Sequence, residues 1–266
     1  MGGSMNLKWK MQQCFYFRDR QMMRQFFASQ FHHEKRGELN RIFTNRFSER
    51  GREGALKLGI HIPNGFDTSL LAEVFCQKIY DVPGFLPTPN DVVVDVGANV
   101  GDWAVYCSKV MGARKVIAFE PLMQNVELMA RFLSENNVGN VEVYKFALSD
   151  RSFTSTRNHN GLMLSLKEKG TIGEEICFRT LDSFDLQPSI LKIDVEGYEC
   201  HVLSGAVNTI RRSKPRIIIE VHSRRLKKSS LSLLYKFGYK VVAKSPNVSG
   251  RYGGFVSTIF LQADNA

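Results

Sequence analysis

The sequence lacks the features that would set it outside the ordinary globular class. No run of 18 or more apolar residues occurs, and the longest β-branched pieces, Val92-Val93-Val94 and Ile217-Ile218-Ile219, are only strand-sized, which excludes a membrane-spanning helix. Cysteine is sparse: Cys14, Cys76, Cys107, Cys177 and Cys200 form no C-x-x-C, and their odd number argues for a reducing compartment, against a disulfide framework and against a structural zinc site. Only 21 glycines and 8 prolines are present, with no repeat, so collagen-like and low-complexity readings fail. What is there is ordinary: 266 residues, 43% apolar and 23% charged, enough to bury a full core as one generous domain or one domain plus an extension.

Charge is unevenly spread. Of a net +10, the first 60 residues carry +7, residues 61–210 carry −7 and residues 211–266 carry +10. Basic ends around an acidic middle suit an anionic partner or surface, or simply a solubilising exterior. Met1-Gly2-Gly3-Ser4 reads as an expression remnant. From Met5 to Arg36, Phe15, Met22 and Phe26 recur at helical spacing among arginines, an amphipathic helix expected to pack on the domain that follows, with peripheral membrane contact as the alternative. Residues 37–65 read as a connector with a hairpin, since Leu56, Leu58, Ile60 and Ile62 alternate, and Thr68 to Tyr80 as a helix capped by Asp67. The division expected is a basic, mainly helical extension over 1–60 and a catalytic domain over 61–266.

After Asn90, β-branched runs alternate with helical segments. Strands are expected at 91–96, 115–119, 141–147, 190–195, 216–221, 239–244 and 255–261, and helices at 102–111, 122–137, 198–212 and 226–237. This pattern predicts an α/β fold: a seven-stranded, mostly parallel sheet covered on both faces. Only a short stretch separates the last two strands, so the last one should run antiparallel.

The most informative stretch is Val92-Val93-Val94-Asp95-Val96-Gly97-Ala98-Asn99-Val100-Gly101-Asp102, a buried strand, a glycine turn and a helix start. Gly97 permits close backbone approach, Asn99 tolerates left-handed backbone, and the helix at Gly101 offers free amides. A dinucleotide fingerprint needs glycine at 97, 99 and 102, and two of the three fail, so NAD is excluded. Asp95 opposes a pyrophosphate but suits an ammonium or sulfonium, which points to S-adenosylmethionine. Glu120, ending the second strand, is placed to accept both ribose hydroxyls. Ala147 to Asp150, ending the third, should border the adenine, with Asp150 either taking its amino group or capping a turn.

These residues, with Thr180-Leu181-Asp182, Lys192-Ile193-Asp194-Val195-Glu196-Gly197-Tyr198-Glu199 and Ile219-Glu220-Val221-His222, occur in the order of the FkbM family of methyltransferases, which the chain resembles over roughly 67–225. The resemblance implies a class I methyltransferase (Rossmann-like) fold, S-adenosylmethionine as methyl donor, and O-methylation of a sugar hydroxyl in a glycan, glycolipid or natural product. An anionic or lipid-linked acceptor and a cytoplasmic location, free or at the inner membrane face, are in keeping with it; the oligomeric state is left open.

The reacting groups should come from the carboxyl ends of neighbouring strands. Asp194 and Glu196, sharing a side with Lys192, and Glu220 and His222 on the next strand should converge. His222, with an ordinary pKa near ~6.5, or Asp194 could take the hydroxyl proton, or the cluster could hold a divalent metal. A cation-free centre is expected, because Lys192 would repel a metal. Glu199 reads as a first-turn helix residue favoured by the dipole, and Lys192 as a structural partner of a carboxylate. Two rivals remain: an RNA ribose 2′-O-methyltransferase using the basic C-terminal third, disfavoured because no RNA-binding module is visible, and a non-catalytic binding protein, disfavoured by the intact loop.

Overall fold

The computed structural model describes residue 45 and residues 48–159, 172–245, 248–249 and 255–264. The expected N-terminal helix over 5–36 lies outside them. Two compact units divide the chain, the first ending at Gly84 and the second starting at Phe85.

In the first unit the expected hairpin is instead a helix, α1 (48–57). Gly51 and Gly54 explain it. A Cβ on Gly51 would lie 2.0 Å from the Thr68 carbonyl oxygen, and one on Gly54 2.8 Å from that of Phe75. The two glycines form a bare helical face against the next segment. The alternation of Leu56 and Leu58 misleads because Leu56 is 54% exposed while Ala55 is fully buried. The following segment is a turn and then a π-helix (Ala72–Gln77), with Asp67 Oδ1 accepting from Ser69 N at 2.9 Å.

The second unit is the α/β fold. Its strands are β1 (Val92–Val96), β2 (Lys115–Phe119), β3 (Val141–Tyr144), β4 (Ala147–Leu148), β5 (Phe153–His159), β6 (Ile172–Arg179), β7 (Ile190–Ile193), β8 (Arg216–Val221), β9 (Tyr239–Lys244), β10 (Val248–Ser249) and β11 (Phe255–Ala263). The main sheet runs β3-β2-β1-β7-β8 in parallel, then β11 antiparallel, which also pairs with β9 and β10. It gains an eighth strand, the short β10. Val94, Ile117, Leu191 and Ile217 lie in register across its centre and are at most 1% exposed, as parallel strands covered on both faces require.

The expected third strand divides. Phe146 N–H donates to the Tyr144 carbonyl in a tight turn, and Ala147–Leu148 leave the main sheet to pair with β6. There they join a second sheet, β4-β6-β5, in which β5 and β6 pair antiparallel. Residues 160–171, between these two strands, lie outside the described residues.

The helices of this unit are α2 (Asp102–Val105), prolonged as a π-helix (Tyr106–Val110), α3 (Met123–Glu135), α4 (Glu199–Ser204), α5 (Val207–Ser213) and α6 (Arg224–Lys236). The helix expected over 198–212 breaks into α4 and α5 at Gly205, where a Cβ would sit 1.9 Å from the Ser149 carbonyl oxygen. Asp182 then accepts from Asn208 N and from Thr209 N and Oγ1, which satisfies the exposed amides of α5. No described helix is long and apolar enough to cross a membrane.

At the amino end of the sheet, Asp91 ties three strands. It accepts from Thr88 N and Oγ1, Ser189 Oγ and Arg216 Nη2. Burial pushes its carboxyl up, but the hydrogen bonds from Ser189, Arg216 and Thr88 outweigh burial and hold it below the usual range. Asp91→Ala should therefore lower the unfolding free energy at pH 7 by about 3 kcal/mol, measured by urea titration. Because the folded pKa is depressed, this contribution is present above the ordinary carboxylate range and is lost as pH falls through the folded value. The gap between variant and native chain should close in acid; equal stability at pH 7 would show that the network holds nothing.

Candidate functional site

A cleft of about 780 Å³, counting space open to solvent, lies at the carboxyl ends of β1, β2 and β7. Its first wall is the turn after β1. Gly97 N and Ala98 N both donate to the Phe119 carbonyl, at 2.9 and 3.0 Å, bending the chain over the end of β2. Gly97, Asn99 and Gly101 have φ of +79°, +50° and +81°. Gly97 is required twice over: a Cβ there would stand 1.8 Å from the Asp194 carbonyl oxygen. At Gly101 a Cβ would strike Met129 on α3, so this glycine serves helix packing and does not line the cleft.

Glu120 closes the same wall and is 5% exposed. Its Oε2 accepts from Asn99 N at 2.9 Å, and its Oε1 from Leu122 N at 3.1 Å and Asn125 Nδ2 at 3.0 Å. Burial outweighs these donors and pushes its carboxyl up to about 7. A carboxylate has about four acceptor sites, so one remains for a ligand while the others hold the turn. Beside it Phe119, Phe146, Ala147, Leu148 and Phe178 form a largely apolar slot. Asp150 does not line it; it accepts from Ser149 Oγ, lies 3.5 Å from His201 Nδ1, and is held below the usual range chiefly by the Ser149 hydroxyl.

Asp95 lies beneath the turn, fully buried, and its cationic partner is Lys192 on the adjacent strand, 3.1 Å away. The ammonium that Asp95 was expected to meet is thus supplied by the chain itself. Lys192 also stands 3.9 Å from Asp194 Oδ2 and 5.7 Å from the centre of the Trp103 ring. Burial lowers its pKa, but Asp95 and Asp194 outweigh burial and keep it charged.

The far side holds the expected convergence. Nε2 of His222 is 3.3 Å from Glu196 Oε2, 3.6 Å from Glu220 Oε1 and 3.8 Å from Asp194 Oδ1. Asp194 and Glu196 line the cleft. Glu220 also accepts from Thr258 Oγ1 at 3.1 Å. Glu196 arrives by a route that strand alternation did not foresee: β7 ends at Ile193, and Glu196 sits in a turn with φ +49°.

Glu199 reverses its expected part. It is fully buried, its Oε1 lies 2.6 Å from His222 Nδ1, and the same oxygen accepts from Gly197 N. Its place in the first turn of a helix suggested a dipole-favoured residue, and helix position says nothing of what covers it. Burial lowers the His222 pKa, but Glu199, Glu220, Asp194 and Glu196 outweigh it and raise it to about 11, which favours the charged imidazolium. Asp194 is raised well above the usual range, by burial first and by Glu220 next. That suits a proton acceptor.

The family model described as the Methyltransferase FkbM domain matches residues 95–241. Among curated relatives, hexuronic acid methyltransferase AglP of Haloferax volcanii is 30% identical over 144 residues, which are 50% of this chain and 57% of that protein. Methyltransferase 1 of Beauveria bassiana is 26% identical over 163 residues, 50% of this chain and 64% of that protein. The chain thus spans less than two thirds of either relative. Of solved structures, methyltransferase FkbM from Methylobacillus flagellatus KT aligns with 83% of this chain and 59% of its own, at a TM-score of 0.48 and 16% identity.

The contact at Gly97 generates a direct test. Gly97→Ala should cost about 3 kcal/mol or more in stability, from strain at positive φ and collision with the Asp194 carbonyl. Gly139→Ala, where nothing lies within 4 Å, should stay within about 0.5 kcal/mol. Thermal melts of both variants check this; equal melting temperatures would mean that the turn yields freely.

Proposed function

The chain belongs to the FkbM family of methyltransferases, and from that premise we propose that it transfers a methyl group from S-adenosylmethionine to a hydroxyl of a saccharide or saccharide-bearing molecule. The observation that carries this reading is the convergence of Asp194, Glu196, Glu220 and His222 on one side of a cleft whose other wall is the Gly97–Asn99 turn and Glu120. The name of the Haloferax volcanii relative supports a sugar acid among the acceptors to be tried.

The residues fit the donor. The apolar slot between Phe119 and Phe178 suits a flat purine, the remaining acceptor site of Glu120 suits a ribose hydroxyl, and the second hydroxyl would displace one of its three present donors. S-adenosylmethionine, when bound, supplies a sulfonium methyl group whose passage to an acceptor oxygen breaks the C–S bond, leaves the electron pair on sulfur and requires the hydroxyl proton to go elsewhere. Asp194, at the cleft wall with its pKa raised, receives that proton. Glu196 and Glu220 accept from further hydroxyls of the acceptor and so orient it. His222, held by Glu199, keeps these carboxylates together. Lys192 is buried on Asp95, a structural position.

Four outcomes test the reading. Calorimetry with S-adenosylhomocysteine should show binding, and none with NAD. Glu120→Ala should weaken that binding by about 1.5–3 kcal/mol through lost charge-assisted hydrogen bonds. Since a ribose hydroxyl donates to ionised Glu120, whose pKa is about 7, affinity should be full above that pH and fall up to tenfold per unit below it; Glu120→Gln should flatten the profile. Asp194→Asn should lower kcat by about 10²–10⁴-fold with donor affinity little changed. Full activity in that variant would remove Asp194 from the reaction, and NAD binding without S-adenosylhomocysteine binding would overturn the cofactor.

A further inference from the structure

Nδ1 of His222 lies 2.6 Å from Glu199 Oε1, and its Nε2 is 3.6 Å from Glu220 Oε1 and 3.8 Å from Asp194 Oδ1, with Glu196 Oε2 nearer at 3.3 Å. One ligand atom from each of Asp194, Glu220 and His222 lies within 4.8 Å of the others. In an octahedral site with metal–oxygen distances of about 2.1 Å, ligand atoms stand about 3.0 Å apart when adjacent and about 4.2 Å when opposite. The two Nε2 separations fall between these values, so shifts of well under 1 Å would bring the three atoms onto one ion.

We propose that Asp194 Oδ1, Glu220 Oε1 and His222 Nε2 form a binding site for a divalent cation of the magnesium–manganese class, in which the cation takes the place of the Nε2 proton. Three further observations bear on it.

The first is charge. Asp194, Glu199 and Glu220 all lie within 3.8 Å of one imidazole, Glu199 fully buried and the other two partly so, and one imidazolium does not offset three carboxylates. The second is Glu199. A metal-bound histidine ordinarily turns its other ring nitrogen to a carboxylate, which fixes the ring, and fully buried Glu199 does this for Nδ1. Its Oε1 also accepts from Gly197 N, which fixes the carboxylate that fixes the ring. The third concerns Lys192, whose charge was the ground for expecting a cation-free centre. Its ammonium lies nearest Asp95, at 3.1 Å, and that carboxylate neutralises it outside the triad.

Two carboxylates and one imidazole, with positions open to water or acceptor oxygens, suit a hard cation that tolerates nitrogen, and manganese meets both conditions. The inference rests on the function proposed above and deepens it: the cation would hold and acidify the acceptor hydroxyl.

The test uses the full chain stripped with chelator and titrated with manganese, the free ion being followed by electron paramagnetic resonance. One ion per chain is expected. Asp194→Asn and Glu220→Gln, at positions still partly open to solvent, should each weaken binding by at least tenfold. Glu199→Gln should weaken it about 10–100-fold without itself touching the ion. Circular dichroism confirms that each variant is folded. No binding at millimolar manganese, or binding that survives both triad variants, overturns the proposal. S-adenosylhomocysteine affinity, measured by calorimetry on the same stripped chain, separates the two readings: retained without manganese binding, it leaves the methyltransferase reading standing and removes only the cation.

Discussion

The buried pair between Lys192 and Asp95 is the constraint on which the site depends. An ammonium sealed in the middle of a sheet is tolerated only where a carboxylate meets it, and the register that sets Asp95 beside Lys192 on neighbouring parallel strands supplies one. Both residues are the last but one of their strands, so the pair fixes where β1 and β7 end. The turn after β1 and the Asp194–Gly197 turn after β7 both spring from those ends. Lys192 reaches Asp194 as well, so one buried cation links the donor side of the cleft to the acceptor side.

Backbone contact does the rest of the shaping. The Gly97 turn lies against the Asp194 carbonyl so closely that a methyl group cannot enter, and Gly205 lies against Ser149 in the same way. These contacts leave the strand ends little room to shift, which a site that must align a donor and an acceptor requires. Glu120 adds to this. Its carboxylate holds the Asn99, Leu122 and Asn125 donors before any ligand arrives, so the cleft wall is set in advance.

Much of this was legible in the sequence, for a physical reason. The parallel strands are buried on both faces and so read as uninterrupted β-branched runs, and the tip of each bears the polar residues of the site. That places Gly97, Asn99, Glu120, Asp194, Glu220 and His222 without knowledge of any contact. The parts that were not legible are those decided by neighbours in space. Asp95 was matched to a ligand's charge because nothing in its own strand reveals that Lys192, 97 positions on, takes it first. Glu199 looked like a dipole-favoured surface residue because helix position carries no information about what covers it. His222 kept its ordinary pKa on paper because four carboxylates come to it from the turn after β7, from α4 and from β8. The helix over 48–57 was hidden by an alternation of leucines that its two glycines override.

The charge pattern along the chain takes on a different meaning once folded. The excess of positive charge sits on exposed side chains, among them Arg211, Arg212, Lys214, Arg224, Arg225, Lys228, Lys236, Lys240 and Lys244, while the cleft is lined and underlain by carboxylates. The two have opposite effects on one acceptor. A net +10 draws an anionic molecule toward the surface at long range. Within the cleft, the carboxylates of Asp194 and Glu196 oppose a further negative charge and offer acceptors to hydroxyl groups. An anionic acceptor would therefore present a hydroxyl to the cleft and hold its charge away from these carboxylates.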